Sequence, residues 1–158
     1  MVIREMNYSD IDRVRMIAAD TWRDTYTSFI PAEIQDKVLK EAYSNEKMDN
    51  RLKSSIILVA ESNGVMMGYA FFSGDKDVFL ESIYLHPNYQ GKGVGKCLLE
   101  TGLSKFKEAD SISLTVYKGN PNTSFYEEEG FQVVKENKGD FFGHPVTFIL
   151  MKKHLHQG

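Results

Sequence analysis

The spacing of apolar positions changes along the chain and divides it into strands and helices. Residues 2–5 form a short extended run. Ser9, followed three residues later by Asp12, has the form of a helix N-cap with an acidic first turn. Ile11, Val14, Ala18 and Trp22 then recur at spacings of three and four, so they share one helical face turned toward a core. Ile34, Val38 and Ala42 repeat that period after Pro31 and mark a second helix. Over residues 56–60 and 65–72 the chain becomes β-branched and aromatic, and Ser62-Asn63-Gly64 between them is hairpin chemistry. Further strands are predicted at 78–85, 112–116, 131–134 and 146–151, with helices at 93–107 and 123–129. Strands gathered early and helices interleaved later predict a mixed α/β (α+β) domain around one central sheet, not a sandwich or a helical bundle.

Composition narrows this picture. With 158 residues, 42% of them hydrophobic, the chain can bury one core of ordinary size. It has no low-complexity tract, proline-rich linker or repeat, so residues 1–158 are expected to form a single domain. The net charge of -3 comes from intermixed signs, which leaves no basic footprint for nucleic acid. Cys97 is the only cysteine, so an internal disulfide and a cysteine-based metal knuckle are excluded. Charges at Arg4 and Glu5 come before any apolar stretch of signal-peptide length, and no apolar run is long enough to span a bilayer, so a cytoplasmic protein without membrane partners is expected. His86, His144, His154 and His156 are scattered, supply no convincing ligand set, and are expected to face solvent.

The most informative segment is LHPNYQGKGVGK, residues 85–96, which leads from a strand into a helix start. Gly91, Gly93 and Gly95 lack the Cβ that would hold a ligand away, and the first N–H groups of the helix have no intrahelical partner. Such free donors can cradle a phosphate or pyrophosphate. A Walker A loop would need glycine at Gln90 and a hydroxyl at Cys97, and a dinucleotide fingerprint read from Gly91 would need glycine at Lys96. Both fail. A plain glycine-rich connector remains the alternative.

What does fit is Q-x-x-G-x-G, met by Gln90, Gly93 and Gly95 after a strand ending Leu-His-Pro. Here the chain resembles the GCN5-related N-acetyltransferase (GNAT) superfamily. The resemblance implies a central, mostly antiparallel mixed sheet of about seven strands, flanked by about four helices and split by a splayed pair where acetyl-CoA inserts. It implies that Ile83 and Leu85 offer backbone groups to the pantetheine arm, and that Gln90, Gly91, Lys92, Gly93, Gly95 and Lys96 surround the pyrophosphate. A second segment, NPNTSFYEEEGF at residues 120–131, is similar to the family's N-x-x-x-x-F-Y-E-x-x-G-F element. By that likeness Tyr126 lies near the CoA sulfur and protonates the departing thiolate, and Asn120 contacts the cofactor. Many members place that asparagine seven residues before the tyrosine, where this chain has Gly119. A packed core aromatic is the other reading of Tyr126.

The acceptor nitrogen must be deprotonated before it attacks a thioester. Glu81, two residues before Ile83, is the first candidate base, with an ion-paired sheet glutamate as the alternative. Simple alternation puts Glu81, Ile83 and Leu85 on one strand face and Ser82 and Tyr84 on the other. Trp22 and Tyr26, four residues apart at the end of the first helix, are candidates for the acceptor pocket or for core packing, and the same pair of readings holds for Phe141 and Phe142. Cys97 reads as a small buried apolar residue rather than a nucleophile. The resemblance thus implies transfer of an acetyl group from acetyl-CoA, without a metal, to a primary amine, favouring a small molecule such as a polyamine and leaning toward a homodimer. Acetylation of a protein N-terminus or lysine, or a non-catalytic acyl-CoA sensor, are the competing functions.

Overall fold

Alternating residues of the central strands belong to different cores, and that alternation sets the architecture. The computed structural model describes residues 1–155, and His156 lies outside them. Its strands are β1 (Val2–Glu5), β2 (Ile56–Ser62), β3 (Val65–Gly74), β4 (Asp77–Leu85), β5 (Ser111–Tyr117), β6 (Gln132–Phe141) and β7 (His144–His154). Its helices are α1 (Ile11–Tyr26), α2 (Ala32–Ala42), α3 (Asn45–Ser54), α4 (Val94–Leu103) and α5 (Thr123–Glu128). The strands form one seven-stranded sheet in the order β1-β2-β3-β4-β5-β7-β6, antiparallel except where β4 meets β5. This is the split mixed sheet expected, with five α-helices in place of about four.

Leu58 and Ala60 of β2, Ala70 and Phe72 of β3 and Ile112 of β5 face α4 and α5. Ile57, Val59, Tyr69 and Phe71 face α1 and α3. Both faces are therefore covered by helices, which explains why β2 and β3 read as near-continuous apolar runs. Trp22, Tyr26 and Ile30 form a third, smaller cluster at the C-terminal end of α1.

The local signals were partly misplaced. Asn7, not Ser9, is the N-cap: it closes a capping box with Asp10 over the 3-10 turn Tyr8–Asp10 that precedes α1. Asp10 is fully buried and accepts from both terminal guanidinium nitrogens of Arg4, whose Nε bonds Glu61, so β1, β2 and the entry to α1 are tied by one arginine. Pairing with Arg4 holds the Asp10 carboxyl below its usual value. Helix α3 escapes the periodicity because it fully buries one side chain, Met48, and is held at its start by the Ser44 hydroxyl on the Lys47 amide. Asn63 and Gly64 both take positive φ, as a two-residue hairpin requires. The last strands run further than predicted because β6 is an exposed edge with no apolar alternation to mark it.

Helix α4 ends at Leu103, short of the predicted residue 107, and it sits very close to the sheet. A Cβ at Gly102 would lie 2.1 Å from Cζ of Phe72, a ring with no exposed surface. Gly102→Ala therefore tests packing against propensity. Alanine gains about 1 kcal/mol of helix propensity, whereas overpacking a closed core costs about 1–3 kcal/mol. The expected result is a lower urea midpoint with an unchanged m-value; a higher midpoint would mean that α4 stands off the sheet.

Candidate functional site

Strands β4 and β5 pair only over Asp77–Phe79 against Ser111–Ser113. Beyond that they diverge, while β3 still follows β4 to Leu85 and β7 follows β5 to Tyr117. A wedge opens in the middle of the sheet. Backbone groups of Leu80–Leu85 on that edge have no strand partner, and buried backbone polar groups need partners.

The β3–β4 register slips between Phe71 and Phe72: Leu80 opposes Phe72, Ser82 opposes Phe71, and Glu81 is the extra residue of a bulge. This corrects the expected alternation. Val78 and Leu80 join the core under α4, and after the bulge Ile83 and Leu85 pack against that same core. Glu81 instead points toward α3, its Oε1 4.0 Å from Arg51 Nε, on the side where Tyr84 packs. Glu81 and Ile83 therefore do not share a face.

After β4, the 3-10 turn Pro87–Tyr89 leads into the glycine turn. Gly91 and Gly93 have φ of +77° and +78°, and nothing lies within 4 Å of a Cβ built on either. Gly93 is the N-cap of α4 and supplies no side-chain partner, so the first amides of the helix remain free and face open space. Gln90 Nε2 donates to Leu85 O at 3.2 Å and holds the turn against the strand end.

From the opposite side, α5 delivers Tyr126. The residue is 9% exposed, packs edge-on against Phe125 and Phe131, and finds no hydrogen-bond partner for its hydroxyl among the described residues. Burial pushes the phenol well above its ordinary value, so it stays protonated. The far wall is α1. Thr21 Oγ1 donates to Leu85 O at 3.2 Å, Trp22 Nε1 to Tyr84 Oη at 3.1 Å, and Asn120 Nδ2 to Tyr26 Oη at 3.1 Å. Burial raises the phenols of Tyr26 and Tyr84 well above the usual value and Tyr117 to about 12.

These parts enclose one cavity of about 470 Å³, within the usual range for a small-molecule site. It runs from Gln90, Gly91, Gly93, Gly95 and Lys96 past Ile83, Leu85, Phe125 and Tyr126 to Glu81, Asn120 and Tyr26. Most of the residues singled out by sequence thus converge. Lys92 does not line it and stacks over Tyr89, and Trp22 sits behind the wall. The wall also holds Thr21, Thr25, Ser82, Tyr84 and Tyr117, which sequence reasoning missed. Thr21 and Thr25 carried the signal: they repeat at four residues beside Trp22 and Tyr26, as polar positions on a helix end expected to face the acceptor.

Several smaller expectations change. His86 and His144 do not face solvent freely: His86 Nε2 lies 3.4 Å from Asp20, and His144 Nε2 meets Phe29 O at 2.8 Å. His154 is exposed. Cys97 is half-buried and stands outside the cavity. Phe141 packs on Trp22 and Tyr117, while Phe142 is 52% exposed. Among the described residues, no group of three or more His, Cys, Asp or Glu side chains is placed to hold a metal ion, and no helix is long and apolar enough to cross a membrane.

Residues 12–155 match the family model described as the acetyltransferase (GNAT) domain. The spermidine N(1)-acetyltransferase of Thermoplasma acidophilum is 27% identical over 150 residues, 88% of this chain and 92% of that protein. The L-amino acid N-acyltransferase MnaT of Escherichia coli is 45% identical over 110 residues, 63% of this chain and 64% of that protein. The PaiA N-acetyltransferase of Thermoplasma acidophilum, solved in complex with coenzyme A, superposes with a TM-score of 0.84 at 25% identity over 98% of each chain. A family match over nearly the whole chain, on a sheet that splits beside a glycine turn, establishes that the chain belongs to the GNAT acetyltransferase family.

Proposed function

We propose that residues 1–158 act as a single N-acetyltransferase domain that moves the acetyl group of acetyl-CoA to a primary amine of a small molecule in the cytoplasm. The observation that carries this reading is the continuity of the cavity: one space joins the free amides of α4 to the aromatic wall of α1, with Tyr126 between them. The PaiA structure with coenzyme A supports the donor. The open space over Gly91 and Gly93 suits a pyrophosphate, with Gln90, Gly95 and Lys96 around it and Lys92 at its rim. The edge at Ile83 and Leu85, which no strand pairs and where Thr21 and Gln90 already occupy the Leu85 carbonyl, suits an extended pantetheine arm, which would add to the sheet as a strand does. Asn120 closes the same space from the α5 side.

Acetyl-CoA supplies an activated acyl carbon as a thioester. Tyr126 gives its proton to the sulfur as the C–S bond breaks, and its burial ensures that it enters each turnover protonated. Glu81, directly or through a water, takes the proton that the amine sheds as its nitrogen bonds the acyl carbon, or it holds a cationic amine by charge. Enclosure of the acceptor end by Tyr26, Tyr84 and Tyr117 favours a small acceptor over a protein terminus, which needs an open groove. A polyamine acceptor finds support in the Thermoplasma relative named for spermidine. An amino-acid acceptor finds support in the Escherichia coli relative.

Gly93→Asp and Gly93→Asn test the anion cradle, because both side chains tolerate positive φ better than most and differ chiefly in charge. Coenzyme A should raise the melting temperature of the parent chain by mass action. The aspartate variant should lose at least tenfold more affinity than the asparagine variant; equal losses would mean that no anion sits at the turn.

Tyr126→Phe should keep the fold and coenzyme A binding and lower kcat by about 10² to 10⁴. Undiminished turnover would leave Tyr126 as packing alone.

Glu81→Gln should preserve coenzyme A binding and reduce activity. Loss of a base makes the rate follow the free-amine fraction more steeply with pH, whereas loss of a counter-charge raises the acceptor KM. Parent values of both constants from pH 6 to 9 would remove Glu81 from the site.

A further inference from the structure

Two phenols on the acceptor wall have hydrogen-bond roles fixed by their partners. Asn120 Nδ2 donates to Tyr26 Oη, and the Asn122 amide, bonded to Asn120 Oδ1 at 2.8 Å, determines which end of the side-chain amide meets the phenol. Trp22 Nε1, which can only donate, occupies Tyr84 Oη in the same way. Each phenol has therefore accepted one bond, and among the described residues neither has a protein acceptor for its own proton. Both rings line the cavity. Burial keeps both protonated, and neither donor partner titrates at ordinary pH. On the same side lies Glu81, whereas Glu128 and Glu129 line the cavity from the α5 side.

We propose that this end of the cavity selects an amine that also carries a carboxylate, of the α-amino acid class, with the carboxylate accepting from Tyr26 and Tyr84 and the amine facing Glu81. The inference rests on the acetyltransferase reading and narrows its acceptor. At the α1 end, away from Glu128 and Glu129 of the α5 side, two donors and one carboxylate are the complement of a zwitterion. A carboxylate offers about four lone-pair sites and satisfies both phenols with charge-assisted bonds. A polyamine brings only donors in its charged form. A phenol that has already accepted once can accept from an ammonium only by leaving its own proton unpaired in a buried place, which costs that group its hydration.

The test measures thiol release from acetyl-CoA with L-amino acids, each paired with the amine that lacks its carboxylate, and with spermidine, all normalised to the free-amine fraction. The chain should favour an L-amino acid over its decarboxylated amine at least tenfold in kcat/KM. Tyr26→Phe and Tyr84→Phe, which keep the packing ring, should each cut that ratio about three- to tenfold, through KM, as expected for one hydrogen bond. Asn120→Asp keeps the acceptor for the Asn122 amide but captures the Tyr26 proton, and it should cut the ratio likewise should either phenylalanine variant fail to fold. Preference for spermidine or for the decarboxylated amines, or a ratio unmoved by all three substitutions, overturns the amino-acid assignment while acetyl transfer stands. No release with any amine overturns both.

Discussion

The early end of pairing between β4 and β5 is the constraint on which the site depends. Three residues of each strand are bonded, and then the sheet parts. A gap in a sheet is costly unless something satisfies its edges. Here each border strand keeps its outer neighbour, so the opening does not unravel the sheet, and a helix stands over each face of the opening. The result is an edge that no strand pairs, held open between two paired strands, at which an extended ligand can complete the sheet.

The contacts that shape the opening are few and polar at their tips. Thr21 anchors α1 to the last carbonyl of β4, Trp22 reaches Tyr84 on the same strand, and Tyr26 reaches Asn120 on the turn that launches α5. Three successive contacts on one helix end thus span both sides of the wedge. Each is a net contribution of only about 1 kcal/mol, but each also spares a buried polar group from being left alone, and that is the larger effect in a buried wall.

The glycine turn was legible because its chemistry is local: three glycines, a helix start and a preceding strand lie within a dozen residues. The general architecture was legible for the same reason, since the apolar period of β2 and β3 and of α1 records burial directly. The orientation of Glu81 was not. A bulge is a relation between two strands, set where β3 slips past β4, and one strand read alone cannot show it. Nor could spacing reveal that Asn120 meets Tyr26 across 94 residues of chain, or that Trp22 turns its ring away from the cavity to support Tyr84. Helix α3 was missed because a helix with one fully buried side chain has almost no apolar stripe to read.

The two large hydrophobic clusters lie on opposite faces of the sheet and share no side chain. The α4 face carries the glycine turn, and the α1 face carries the aromatic wall of the cavity. Substitutions on the α1 side can therefore reshape that wall while the other half keeps its packing. Under the proposed function, such a division makes acceptor preference an independently evolvable trait, one that a lineage can exchange while inheriting the donor machinery intact.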